Sequence, residues 1–117
     1  MINLLNINLE FHRGILFIRL NGSLDKTTVE KLETEVTRLV KESGIRNIVF
    51  NMSDLDSIDL SGIDSLIDNY KICKLNNGNS LICGINEFIK QKICSSKLLN
   101  YMHEINDELS ALNYINL

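Results

Sequence analysis

Residues 46–68, RNIVFNMSDLDSIDLSGIDSLID, change character twice, and those two changes set the fold class. The run Ile48-Val49-Phe50 is continuously apolar, as expected of a strand buried on both faces. It leads into a segment dense in Asp and Ser, which reads as an acidic loop. Beyond the loop, Ile63, Leu66, Ile67, Tyr70 and Cys73 recur at helical spacing. Strand, polar crossing and helix make the basic unit of an α/β layer, and binding residues gather where such a strand ends. At that point stands one hydroxyl, Ser61, beside Gly62.

Upstream, NLEFHRGILFIRLNG has strand character, with a turn near His12-Arg13-Gly14 and apolar residues at Ile15, Leu16, Phe17, Ile18 and Leu20. The next segment, SLDKTTVEKLETEVTRLVKESG, switches period: Val29, Leu32, Val36, Leu39 and Val40 mark a helix. Thr27 and Glu30 form a capping-box pattern at its start, and Gly44 is its stop. Downstream, Asn76-Asn77-Gly78 ends the second helix, and SLICGI reads as a short buried strand. Asn86 is placed to cap a helix through Phe88, Ile89 and Ile93. The tail predicts a strand around residues 98–102 and a helix from about Asn106 with Leu109 and Leu112 facing inward. The expected architecture is one α/β domain over residues 1–117, with an N-terminal hairpin and a mixed sheet of about five strands covered by about four helices.

At 117 residues and 44% hydrophobic content, the chain can bury one real core. Its net charge of −3 argues against a nucleic-acid surface built on clustered Lys and Arg. Between Arg46 and Lys71 there is no basic residue, whereas Asp54, Asp56, Asp59, Asp64 and Asp68 all lie there, so one face is expected to be acidic. Cys73, Cys83 and Cys94 fit neither a zinc-ligand pair nor a redox C-x-x-C and read as reduced cytosolic core thiols, with greater exposure left open for Cys94 beside SSK. No apolar run approaches the length of a membrane span, and the N-terminus lacks a secretion signal, so the expected location is cytoplasmic.

Ser61 has two readings that can coexist. Three residues before Asp64, its hydroxyl is placed to cap the first turn of the helix. A hydroxyl at a helix N-terminus is also a good phosphate seat, because the dipole and free amides favour added negative charge. Gly62 reads as a turn residue, or as one that keeps the approach to the serine open. The aspartates could bind a hard cation, but DLDSIDLSG lacks the spacing of a calcium loop, and a solvated acidic face that steers a basic partner fits better. His12 and His103 lie far apart in sequence, with no nucleophile elbow, zinc motif or P-loop beside them, so conventional catalysis has no local signature. NNGNS precedes a strand and reads as a turn. A two-component receiver would need an acidic pair ending its first strand and a Lys ending a later one, and LNGSLD and SLICGI supply neither.

In order and spacing, LFIRLNGSLDKTT, the helix after it, residues 46–86 and the closing CSSKLLNYM resemble a STAS domain of the anti-sigma factor antagonist type. The most specific elements are Gly22-Ser23-Leu24-Asp25 and the D-x-S-G box Asp59-Leu60-Ser61-Gly62. The resemblance implies a STAS fold and a non-enzymatic partner switch without a cofactor. In that family the box serine, matched by Ser61, is phosphorylated by an anti-sigma factor that is also a serine kinase, and a metal-dependent serine phosphatase reverses the step. The unphosphorylated form binds the anti-sigma factor and frees the sigma factor. Ser23 and Asp25 match a loop of the partner surface, and Asp59, Leu60 and Gly62 complete the box. Leu60 stands where the family box commonly has a second hydroxyl residue. The alternatives are a STAS scaffold subunit of a stress-sensing or transport assembly, in which Ser61 only caps its helix, and a small redox protein using its cysteines.

Overall fold

In the computed structural model, which describes residues 4–116, strand β1 (Leu5–His12) turns into strand β2 (Ile15–Leu24). Helix α1 over residues 29–43 follows, then the long strand β3 (Asn47–Ile58), helix α2 (Leu60–Leu75) and strand β4 (Ser80–Cys83). Helix α3 (Glu87–Cys94), the short turn α4 (Leu98–Tyr101), strand β5 (His103–Ile105) and helix α5 (Glu108–Asn116) complete the described chain. The strands form one sheet in chain order; β1 is antiparallel to β2, and the other neighbouring pairs are parallel. Arg13 and Gly14 both take positive φ, 52° and 78°, the backbone that matches a tight hairpin to the twist of its strands.

Strand alternation divides the core in two. Leu16, Ile18, Leu20, Ile48, Phe50, Met52 and Ile82 pack against helices α1 to α4. The residues between them, Ile15, Phe17, Val49, Leu81 and Cys83, face the other side and meet Ala111 of α5. Both faces are therefore dry, which accounts for the unbroken apolar run Ile48-Val49-Phe50. On α1, Leu32, Val36 and Val40 are fully buried as expected, whereas Leu39 lies at the edge of that face beside Phe11. The helix contains one π-helical stretch, Glu33–Thr37. Thr37 is turned inward there, and its hydroxyl oxygen accepts a 3.0 Å bond from the buried Asn69 amide of α2.

The segment read as an acidic loop is strand. β3 continues through Ser53, Asp54, Asp56 and Ser57 to Ile58, paired with the end of β2. Its buried residues are Met52, Leu55 and Ile58, a spacing of three that does not resemble a strand. The cause is two register shifts, between Arg19/Asn21 and Gly22/Ser23, where β3 carries one more residue than β2 each time. Each bulge turns the next apolar side chain back to the core and leaves the aspartates between them in solvent.

The tail also differs from the sequence reading. Residues 98–101 form a helical turn that buries Leu98, and the strand is displaced to His103–Ile105. On α5, Leu112 packs inward with Ala111 and Ile115, but Leu109 is 67% exposed. Asp107 caps this helix by accepting from Ser110 N at 2.8 Å. The first helical residue, Glu108, then accepts two bonds from the Arg19 guanidinium at 2.7 and 2.8 Å and one from Asn51 Nδ2 at 2.8 Å. Arg19 also reaches Glu10 at 2.9 Å. The network pins α5 where the apolar part of its sheet face ends.

The hydrogen bonds from Arg19 hold the Glu108 carboxyl below its ordinary value of 4.5. A depressed carboxylate contributes stability fully above 4.5 and loses it as pH falls through the folded value. Glu108→Gln is expected to cost about 1–2 kcal/mol near neutral pH. Urea denaturation curves of the native and variant proteins should converge as the pH is lowered below 4.5.

Candidate functional site

The helix carrying Ser61 is capped by another residue. Asp59 leaves β3 in extended backbone, with φ −118° and ψ −175°, and its Oδ1 accepts from Gly62 N at 2.9 Å. Its Oδ2 accepts from Lys26 N at 3.1 Å, and its own N–H donates to Leu24 O at 3.3 Å. One carboxylate thus caps α2 and fastens the β2–α1 loop to it. The capping role expected of Ser61 belongs to Asp59. Ser61, one residue inside the helix, is half-buried, and among the described residues its hydroxyl has no hydrogen-bond partner.

Gly62 is buried, and its missing side chain serves an internal contact. A Cβ there would lie 2.3 Å from Leu24 O and 2.9 Å from Ile58 Cγ1. Glycine therefore lets the first turn of α2 rest on the end of β2. That close approach brings the two sequence-matched segments together: Ser57 Oγ donates to Ser23 Oγ at 2.8 Å. Asp25 Oδ1 accepts from Thr27 N at 2.9 Å and Thr27 Oγ1 at 2.6 Å, and Asp25 O accepts from Thr28 N and Val29 N. Thr28 Oγ1 donates to Ser23 O at 2.8 Å. This Asp25-centred turn starts α1; the expected Thr27–Glu30 capping box does not form, because Thr27 bonds back to Asp25 and Glu30 points into a groove.

Two grooves flank the start of α2. Ser61 faces the one between α1 and α2, about 520 Å³, lined also by Glu30, Glu33, Asp64, Asp68 and Lys26. Leu60, the residue before it, faces the one between α2 and α3, about 340 Å³, with Ile63, Lys92, Ser95 and Ser96. The aspartates of the quoted stretch are spread over these surfaces: Asp54 and Asp56 along exposed strand, Asp59 in the cap, Asp64 and Asp68 on the outer side of α2. Among the described residues no three His, Cys, Asp or Glu side chains gather into a group able to hold a metal ion.

Nucleophilic chemistry at Cys73 and Cys83 is disfavoured by their setting. Burial pushes the Cys73 thiol up to about 12 and, with the nearby Glu108 and Asp107 charges, the Cys83 thiol to about 11. Cys94 is exposed and free. His12 lies exposed at the end of β1, and His103 stacks on Tyr114 with ring centroids 4.9 Å apart. No helix among the described residues is long and apolar enough to cross a membrane.

The STAS domain family model matches residues 6–111, and the chain belongs to that family. It is similar to an anti-sigma F factor antagonist of Paenibacillus polymyxa, 28% identical over 108 residues, which are 92% of each chain. Among solved structures, an anti-sigma factor antagonist from Mycobacterium paratuberculosis superposes with a TM-score of 0.86 at 17% identity, covering 97% of this chain and 96% of that one. The Bacillus cell fate determinant SpoIIAA in its phosphorylated form gives a TM-score of 0.72 at 20% identity, covering 93% and 99%. The sheet of five strands with its helices is the STAS fold shared with these proteins.

Two measurements check the site as described. Asp59→Ala should lose about 1–2 kcal/mol of unfolding free energy, whereas Ser61→Ala should stay within about 0.5 kcal/mol of the native protein; equal losses would return the cap to Ser61. In the folded protein at pH 8, a thiol reagent should modify Cys94 alone, with Cys73 and Cys83 reacting after denaturation.

Proposed function

We propose that this protein is a cytoplasmic anti-sigma factor antagonist, a binding module rather than an enzyme, switched by phosphorylation of Ser61. In its unphosphorylated form it binds an anti-sigma factor that doubles as a serine kinase, and so releases a sigma factor. A metal-dependent serine phosphatase restores the binding form. The observation that carries this reading is the division of labour at the start of α2: Asp59 holds the helix and the β2–α1 loop, leaving the Ser61 hydroxyl unbonded in an open groove. Ser23, Asp25, Asp59 and Leu60 supply the surrounding contact surface, and Gly62 seats the helix that displays it.

Phosphorylation at this place is compatible with the fold and hostile to the complex. The first-turn amides and the helix dipole favour the added charge of about −1.5 to −2. The groove that receives it already carries Glu30, Glu33, Asp64 and Asp68 against Lys26, so a partner fitted closely to the small Ser61 hydroxyl is displaced by the space the phosphate occupies. The relatives named anti-sigma factor antagonists, and the solution of SpoIIAA in a phosphorylated form, support this reading.

The test uses ATP and a purified anti-sigma serine kinase from the same organism. A single phosphate should appear in the native protein, map to Ser61 by peptide mass spectrometry, and vanish in Ser61→Ala. Ser61→Asp should lose binding to the same kinase at least a hundredfold while unfolding at the native temperature. A kinase active on another substrate but leaving this chain unmodified would instead favour the scaffold reading.

A further inference from the structure

We propose that the groove between α2 and α3, on the side of the turn away from Ser61, is a second docking site on the same partner. It takes an apolar side chain with a carboxylate beside it. This rests on the partner-binding reading above. Leu60 is 69% exposed at the first position of α2, where a polar residue would serve the helix as well, so most of its apolar surface is left unused by the fold. Beside it, Ile58 and Ile63 form the apolar floor of the groove of about 340 Å³, large enough for one aliphatic or aromatic side chain. Phe88, on the exposed side of α3, is 54% exposed, so apolar surface continues along that helix.

The charge at this groove fixes the neighbouring group. Lys92 lines it and lies 5.7 Å from the centre of the Phe88 ring; among the described residues it forms no ion pair. The Asp59 carboxylate, also at the rim, has both oxygens engaged by Gly62 N and Lys26 N. A partner carboxylate therefore meets, in Lys92, a cation that no carboxylate holds among the described residues, on the side of the groove away from Asp59. Across the turn, the Ser61 groove presents four carboxylates and one Lys. The two grooves differ in charge on either side of two adjacent residues, one balanced between Lys92 and Asp59 over an apolar floor and the other acidic, so a partner surface with an apolar-acidic knob and a basic strip fits in one orientation better than in the reverse. Leu60, exposed between the two grooves, then helps set which partner is accepted.

The experiment measures binding of the anti-sigma serine kinase used above to four variants by calorimetry at two salt concentrations, with thermal unfolding recorded for each. Leu60→Ala and Lys92→Glu should each weaken binding tenfold or more, with unchanged unfolding temperatures, and the Lys92→Glu loss should shrink as salt is raised. Lys74→Glu, the same charge change at the far end of α2, should bind like the native protein. Native-like binding by both Leu60→Ala and Lys92→Glu, together with a loss on Ser61→Asp, would overturn the second docking site and leave the switch intact. Native-like binding by Ser61→Asp would instead overturn the switch itself.

Discussion

One carboxylate organises the functional end of this molecule. Asp59 stands between the end of β3 and the start of α2, and both its oxygens are used, one on Gly62 N and one on Lys26 N. The first bond satisfies an amide that the helix cannot satisfy internally. The second ties the β2–α1 loop to the same point, so the loop carrying Ser23 and Asp25 and the helix carrying Leu60 and Ser61 form one surface. Gly62 makes the arrangement sterically possible, since any side chain there would enter the space of Leu24 O. A hydroxyl in the Asp59 position could bond the helix amide, but it would lack the second oxygen and the charge that hold the loop.

Much of the architecture was legible because burial leaves a period in the sequence. The hairpin, α1, the apolar first half of β3, α2, β4 and the Asn86 cap all lie where periodicity and turn residues place them. The second half of β3 was hidden for a specific reason: two bulges convert its apolar spacing from two to three, at Met52, Leu55 and Ile58, and surround it with aspartates. Those residues are strand because β2 pairs with them, which is a tertiary fact. The same holds for β5, three residues long and defined by pairing with β4. Leu109 was assigned inward from spacing alone, but the polar Arg19–Glu108–Asn51 network sets the rotation of α5 and leaves it outside.

The site was legible in its residues more than in their roles. Ser61, Asp59 and the Ser23–Asp25 loop do come together, as the two short motifs imply. Which of them caps the helix was misread, because Ser and Asp are both good caps and the sequence does not locate a helix start to within one residue. The distinction matters chemically. A serine committed to the cap would have to surrender a hydrogen bond to become phosphorylated, whereas here that bond belongs to its neighbour.

In the proposed switch, the same separation of roles lets so small a domain change partners without changing fold. The groups that hold the start of α2 are Asp59, Gly62 and the Leu24 carbonyl, and they lie under the surface or within it. Leu60 and Ser61, displayed above them, make no side-chain hydrogen bond among the described residues and can be altered at little cost to stability. A charge added to Ser61 is therefore felt by whatever occupies the groove, not by the core. Because the helix beneath is fixed from two sides, a group added at Ser61 keeps its place in the groove, and under the proposed switch its bulk is met by the docked partner as lost affinity rather than by the domain as local rearrangement.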